Sequence, residues 1–598
     1  MKVRKFLIVL IFLTGFFYNA EGVWSPITVI DKTEDMRGMG YNPQSKIIRD
    51  PSGRIFVTYR KVYQDEIGSI YQNYVAYSDD NGATWNILGA SGSSGPLQVV
   101  ARGNDGGNYN QRVGSMEIDK NGIIHFFWYG KDADNTGLNE REIKYSAYKS
   151  GDWSSWVNIA DISGYVDQDY WQEHPTLAVG YSGNLYVVWE GRDADNPDAQ
   201  TIKFAESIDG GETWKVWNNG KTWKNITGKG ADNSNNANDL FGKGQARPII
   251  MAIYNSSINR DILYVLWYGG QTGHPNICFS YSLDLGNTWS DWTIIAGQST
   301  LYYEKYIDAA FDRSGNLHVV WSGQDASTGD SYAVKYSVGS DTNANGFIEA
   351  NEWTQWTNLS VPPSDYYDEH PNIAIDSNNN IHIVYERTYK YFGRDITLTS
   401  DAQIYYKNKI SGLGWSGDYQ LSSASKKINI YPYLRWSNYY ANGGPLEVVW
   451  TCGDANDDET FDIVYRYNDS YYMNPPGVGA KSISVAARIT VDSIGLDEGD
   501  ITVYPNPFVN SKDDEINFMI NFKQGEVEKK YLYIMNMMGE VIYTEEVTEQ
   551  YLLDVPFKWD GVNLDGRKVE KGLYFYRIKV VYKSGREELS NLGKFFIK

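Results

Sequence analysis

An all-β architecture, one small antiparallel sheet repeated around a ring, is what the sequence predicts, and three observations carry that prediction. Between residues 23 and 473, short runs rich in β-branched and aromatic residues alternate with Gly, Asn, Asp and Ser clusters, the pattern of strands and turns rather than helices. The stretch Glu173 to Trp214 displays the unit: Glu-His-Pro-Thr-Leu-Ala-Val, a turn at Tyr181 to Asn184, Leu-Tyr-Val-Val-Trp, a polar loop, Thr-Ile-Lys-Phe-Ala, and a turn ending at Trp214, with a fourth strand expected beyond it. The unit then recurs, aligned on Gln44, Val113, His174, Arg247, Tyr306, His370 and Tyr431 at spacings of 59 to 73 residues. Seven four-stranded sheets at that spacing predict a seven-bladed β-propeller.

Residues 1–22 come first. Lys2, Arg4 and Lys5 precede the apolar run Phe6 to Phe17, and Ala20-Glu21-Gly22 supplies small residues for cleavage, which reads as a secretory signal peptide. No later run is long and apolar enough for a membrane helix, so no transmembrane segment is expected after cleavage. Cys278 and Cys452 fall in different repeats of a chain of 598 residues, which excludes a disulfide framework. A formal charge of −21 argues against nucleic acid as a partner. Trp24 to Ile30 matches the outermost strands at Trp153 to Ile159, Trp289 to Ile295 and Trp353 to Leu359. The seventh repeat stops after three strands, so this N-terminal strand is expected to complete it and close the ring.

The pattern Ser-x-Asp-x-Gly-x-Thr-Trp stands intact at Ser78 to Trp85, Ser207 to Trp214 and Ser282 to Trp289. Asp80, Asp209 and Asp284 suit the binding of turn amides, and Gly82, Gly211 and Gly286 suit positive φ. The pattern resembles the Asp-box of sialidase-type (BNR) propellers. That resemblance implies that the boxes are structural, and that ligands bind on the opposite face, at the starts of the innermost strands and the loops after the second strands.

The fifth repeat departs from the box. Asp341-Thr-Asn343-Ala-Asn345-Gly346-Phe347-Ile-Glu349-Ala-Asn-Glu352 matches the calcium loop of an EF-hand, with side-chain oxygens at Asp341, Asn343, Asn345, Glu349 and Glu352 and the carbonyl of Phe347 as ligands. A structural Ca2+ is expected there, with no organic cofactor. Residues 215–245 form an Asn- and Gly-rich insertion. Residues 474–500 read as a linker, and 501–598 as a separate domain. Val503-Tyr-Pro-Asn-Pro-Phe508, Met538-Gly-Glu-Val541, Trp559-Asp-Gly561, Gly572-Leu-Tyr-Phe-Tyr-Arg577 and the closing Gly593-Lys-Phe-Phe-Ile-Lys598 resemble FlgD-like and type IX secretion sorting modules. The resemblance implies an Ig-like β-sandwich that addresses the chain to sorting machinery or anchors it at the cell surface.

Symmetry then separates scaffold from site. The Gly-x-Asp-Ala turn recurs at Asp132, Asp193 and Asp325, so these aspartates are loop caps before they are anything else. The residues that break symmetry gather charge and imidazole at one end of the funnel: Arg112, Glu173, His174, Glu190, Arg192, Arg247, His274, Tyr306, Glu369, His370, Glu386 and Arg387. The sialidase resemblance implies glycoside hydrolysis, with Arg112, Arg192, Arg247 and Arg387 for a carboxylate, Tyr306 as nucleophile, and Glu173 or Asp193 as acid/base. The chain departs from that family in having seven repeats rather than six and Gln44-Ser45-Lys46 where Arg-Ile-Pro is expected. A polysaccharide lyase would use His174, His370, Tyr306 and Arg247 to neutralise a uronate and remove its C5 proton. A binding protein without catalysis would stack an extracellular glycan on Trp171, Tyr303 and Tyr431.

Overall fold

The computed structural model describes residues between 24 and 468, interrupted at 41–44, 99–108, 133–140, 160–169, 232–243, 270–273, 297–301, 391–401, 437–444, 454–459 and shorter gaps, and then separate strands between 501 and 597. The signal-peptide segment 1–22 and the linker 474–500 lie outside the described residues, as does Gln44. The chain divides into two compact units, Met1–Met473 and Asn474–Lys598. No described helix is long and apolar enough to cross a membrane.

In the first unit the described strands form four four-stranded sheets, one five-stranded sheet and one eight-stranded sheet that two four-stranded groups make through a single parallel bridge, Ala402 to Ile428, which gives seven groups running in chain order from an innermost strand outward. The innermost strands are Ile47–Arg49, Gln111–Ile118, Gln172–Val179, Ala246–Asn255, Glu304–Phe311, Tyr366–Ile375 and Ile428–Trp436, here taken as blades 1 to 7. The seventh group has its outermost strand from the other end of the unit, since Thr28–Thr33 pairs antiparallel with Phe461–Asn468. The fourth strand of blade 3, Lys224–Asn225, lies inside the segment that the sequence marks as an insertion.

Each pair of neighbouring blades shares its own apolar core. Tyr59, Val57 and Ala76 of blade 1 pack with Ile430, Val449 and Ile463 of blade 7, so the last interface closes on the first. Blades 2 and 3 meet through Phe127, Val187 and Trp189, and blades 4 and 5 through Leu266, Val319 and Trp321. The three Ser-x-Asp-x-Gly-x-Thr-Trp turns lock these interfaces from outside. The Asp carboxylates accept the Thr84, Thr213 and Thr288 amides at 2.8, 2.9 and 2.8 Å. The tryptophans reach back to the preceding blade: Trp85 to Tyr465, Trp214 to Tyr145 and Trp289 to Phe204, with ring centroids 5.2, 5.7 and 5.2 Å apart. A Cβ at Gly211, where φ is +91°, would stand 2.1 Å from the Tyr145 hydroxyl, so glycine is required by both backbone and neighbour. Asp80 and Asp209 lie at the exposed surface of these turns, while Asp284 is half-buried.

A second device holds the innermost strand in five of the blades. The buried tryptophan of the second strand donates its indole N–H to an amide or carboxyl on the innermost strand: Trp128 to Gln111 at 2.9 Å, Trp189 to Gln172 at 2.8 Å, Trp267 to Gln245 at 2.5 Å, Trp321 to Glu304 at 2.5 Å and Trp450 to Asn429 at 3.0 Å. These acceptors sit two residues before the alignment positions.

The second unit carries a three-stranded sheet, Ile501–Tyr504, Ile516–Ile520 and Phe557–Trp559, and a five-stranded sheet built on Val527–Met535 and Gly572–Tyr582. Leu532, Ile534 and Trp559 are buried, as the apolar inner faces of an Ig-like sandwich require.

Candidate functional site

The alignment positions have a backbone signature of their own. In blades 2 to 7 the pairing register between the first and second strands shifts at the aligned residue, a β-bulge. At five of these bulges a residue other than glycine has positive φ: His174 at +52°, Arg247 at +49°, Tyr306 at +54°, His370 at +49° and Tyr431 at +56°. L-residues pay roughly 1 kcal/mol or more for that region, so a set of such residues at one level of the fold marks a place where side chains are aimed rather than merely packed. The aimed side chains meet across blade boundaries. The Tyr306 and His370 rings lie 3.9 Å apart, His370 and Tyr431 5.0 Å, Tyr268 and Tyr306 6.3 Å, and Tyr129 and His174 5.1 Å.

Two of the bulges carry the same hydrogen-bonded device. His174 Nδ1 bonds Glu190 Oε1 at 2.9 Å, and Glu190 Oε2 accepts the Arg247 backbone N–H of the next blade. Three blades on, His370 Nδ1 bonds Glu386 Oε1 at 2.8 Å, and Glu386 Oε2 accepts the Tyr431 N–H at 2.7 Å. Each glutamate therefore orients an imidazole through Nδ1, and on the far side of the ring His174 Nε2 lies 3.3 Å from the Tyr129 hydroxyl. Burial, reinforced by Arg247, lowers the His174 pKa to about 4 against the pull of Glu190, so its ring is neutral at neutral pH. Burial alone would raise Glu190, but His174 and Arg247 hold it ionised.

Charge is arranged around these dyads. Glu173 pairs with Arg141, and Glu369 with Lys305 at 2.6 Å. Against the cost of burial, Lys305 and His370 keep the Glu369 carboxyl below its ordinary range. Burial, and Glu369 beside it, push the Tyr306 phenol well above its ordinary value in spite of Lys305. Arg112 is half-buried and crowded by Arg60; burial and that like charge lower its pKa, and among the described residues no carboxylate lies within ion-pair distance of it. Arg60 itself is bound to Asp35. Glu173, His174 and Glu190 bring one ligand atom each within 4.8 Å, the only such trio of acidic, His or Cys groups among the described residues.

The structure sorts the sequence candidates. Tyr129 sits against His174 and in the field of Arg112 and Arg247, and Tyr306 sits against His370 with Glu369 and Arg247 close by. Arg192 lies at the rim with its guanidinium 5.4 Å from the Trp171 ring, and His274 packs edge-on to Tyr303 at 4.2 Å. Asp193 does not join them. It is fully buried, bound to the Lys203 ammonium, and accepts Asn225 Nδ2 at 3.0 Å and the Asn196 amide at 3.0 Å, so its carboxyl belongs to the loop cap. Arg387 is likewise spent on Asp368, at 2.7 and 2.8 Å, and on Asp418 at 3.1 Å. Arg247 is half-buried rather than an open cation, because its strained backbone folds it in beside Tyr268 and Glu190. Sequence reasoning missed Arg141, Lys305, Tyr129 and Tyr268. The last two were findable: like Glu190, each directly follows the buried tryptophan of its second strand.

At the blade 5 loop, Asp341 accepts the Asn345 and Gly346 amides at 3.0 and 2.8 Å, and Glu352 accepts those of Thr342, Asn343 and Glu349 at 2.8, 3.1 and 2.9 Å. Gly346 has φ of +96°, and the Asn343 and Asn345 side-chain amides both donate to Glu349. An all-oxygen donor set wound this tightly fits a hard cation.

One comparison bears on the second unit. Residues 509–586 match the FlgD Ig-like domain family. No curated protein matches the chain. Among solved structures, the alpha-L-arabinofuranosidase Arb93A from Fusarium graminearum is similar at 12% identity, over 61% of this chain and 96% of that one, with a TM-score of 0.37. The polysaccharide lyase Uly1 is similar at 11% identity over 72% and 91%, TM-score 0.40. The NanB sialidase from Streptococcus pneumoniae is similar at 13% identity over 75% and 71%, TM-score 0.36. At these levels neither an activity nor a site is carried across from them.

Proposed function

We propose that the chain is an exported enzyme that binds an acidic polysaccharide in the funnel and cleaves it by β-elimination. The observation that carries this is the His370–Tyr306 contact, 3.9 Å between ring centroids, with His370 oriented by Glu386 and Arg247 grouped with Tyr306 around Tyr268. In this reading Arg247 and Arg112 neutralise the uronate carboxylate, which makes the neighbouring C5 proton acidic. His370 Nε2 takes that proton. The electron pair forms the C4–C5 double bond as the C4–O bond breaks, and Tyr306, whose raised pKa keeps it protonated, donates to the departing oxygen. Hydrolysis of the sialidase kind is supported less well: it wants an activated phenolate and a free carboxyl, whereas Tyr306 holds its proton, Asp193 is enclosed and Glu173 is engaged by Arg141.

Incubation with uronate polymers and sialosides tests this. An unsaturated product absorbing in the ultraviolet is expected; release of sialic acid without it would favour hydrolysis, and binding without product a non-catalytic role. The remaining assignments follow the same reading. Residues 1–22 direct export, and the FlgD-like domain engages sorting machinery or the cell surface, so that deleting Ile501 to Lys598 leaves a folded propeller lost from the surface. The Asp341 to Glu352 loop holds calcium through Asp341, Asn343, Asn345, Glu349, Glu352 and the Phe347 carbonyl, clamping a hairpin. A chelator should then lower the melting temperature, and an unchanged melting curve would remove the ion from the account.

A further inference from the structure

Outward from Tyr306, the rim of blades 5 and 6 carries an unbroken series of rings and cations. The Lys305 ammonium lies 4.7 Å from the Tyr306 ring centroid and 3.9 Å from that of Tyr332. Tyr332 meets Tyr367 at 5.3 Å, edge to face, and the Lys390 ammonium is 5.6 Å from the Tyr367 ring. Lys390 is held by Ser331 Oγ at 3.0 Å and the Ser364 carbonyl at 2.9 Å, and among the described residues no carboxylate lies within ion-pair distance of it. Tyr332 and Tyr367 are partly exposed. The placement is also systematic: three residues before the bulge, blades 3, 5 and 6 carry Trp171, Tyr303 and Tyr367 at the rim.

We propose that this series is a run of sugar subsites, so that the substrate is a linear acidic polymer laid from the Tyr306–His370 centre across Tyr332 and Tyr367 toward Lys390, rather than a terminal sugar. The inference rests on the acidic-glycan reading above. Aromatic rings suit the apolar faces of pyranose units, and an ammonium with no carboxylate partner among the described residues suits a carboxylate on the polymer. Continuity with the reactive centre and this match of charge select an acidic glycan over a protein partner.

The test measures binding of the full-length protein to polygalacturonate and alginate oligomers of graded length, separately from turnover. Affinity is expected to rise with length beyond the disaccharide. Tyr367→Ala and Lys390→Gln should each cost roughly 2- to 10-fold on the longer chains and nothing on the disaccharide. Tyr367→Trp, which keeps a platform, should restore the loss and shows that the alanine variant has not simply misfolded. Length-dependent binding lost in Tyr367→Ala, but without unsaturated product, keeps the subsites and discards the elimination chemistry. Turnover with no dependence on length, or variants that bind long chains like the parent, discards the subsites and leaves the chemistry standing. Failure to bind any acidic glycan overturns both.

Discussion

Replacing Glu304 with Gln should stabilise the propeller above neutral pH and leave it unchanged in acid. Blades 2, 3 and 4 use glutamine to accept the second-strand indole, and blade 7 uses asparagine; blade 5 alone of these five uses a carboxyl, with Glu304 Oε2 accepting from Trp321 at 2.5 Å. Glu304 is 2% exposed, and a Cβ at Gly323 would stand 1.7 Å from its Oε2, so the opposing strand leaves it no route to solvent. Burial pushes its pKa from the ordinary 4.5 up to about 7, in spite of Lys335 at 3.4 Å. The folded pKa lies above the unfolded one, so the native state binds this proton more tightly. The destabilisation is absent below about pH 4.5, grows as pH rises and is complete above about pH 7. A shift of about 2.5 units corresponds to ~3 kcal/mol, an upper limit because Lys335 loses one carboxylate partner and keeps Asp325 at 3.2 Å. An isosteric amide should therefore gain about 1–3 kcal/mol near pH 8, or a few degrees in Tm, and almost nothing near pH 4.5. Denaturant melts at the two pH values decide it. A loss confined to high pH would show that the ionised Glu304–Lys335 pair is net favourable, and a gain of equal size at both would show that the effect does not come from ionisation; either result refutes the burial argument.

Three further outcomes are expected. His370→Gln should reduce turnover of an acidic polymer by about 10²- to 10⁴-fold with little change in affinity, since the ring acts on a proton rather than on binding; unchanged turnover moves the chemistry elsewhere. Asp209→Ala should lower stability by ~1 kcal/mol, through loss of the Thr213 amide and hydroxyl bonds at 2.9 and 2.6 Å, and spare glycan affinity, as paired melting and binding curves would read. His174, lowered from 6.5 to about 4, contributes stability that is full above pH 6.5 and is lost as pH falls toward 4, so His174→Asn should flatten that acid limb; a limb of undiminished slope would assign it to other groups.

Much of the ring was legible because its signals are local and repeated. Turn glycines, box aspartates and strand tryptophans obey short-range rules, and the alignment on His174 and its equivalents needed only the repeat. That the same positions hold positive φ was not legible: Arg247, Tyr306 and Tyr431 are not residues that favour that region, the histidines of the set do so only modestly, and the bulge comes with the pairing to the second strand. The partners of the site were hidden for a related reason. Arg141 reaches Glu173 and Lys305 reaches Glu369 from neighbouring blades, contacts that no spacing within one repeat encodes. Asp193 was open to both readings in sequence, and only the buried Lys203 ammonium decides for the loop cap.

The pairing of Thr28–Thr33 with Phe461–Asn468 also sets a clock. This strand must wait for a partner about 430 residues later in synthesis, and at roughly 5–20 residues per second that is on the order of 20 s to a minute and a half with its edge unpaired. A lone apolar strand would be a hazard over such an interval. Asp31 and Lys32 sit in the middle of this one and later find Tyr59 and Phe461's neighbour Asp462 as hydroxyl contact and register partner. Charged side chains on an edge make it a poorer template for apolar strand pairing, and here Asp31 also seats the strand through the Tyr59 hydroxyl at 2.6 Å and the Lys61 ammonium at 2.9 Å once the seventh blade arrives.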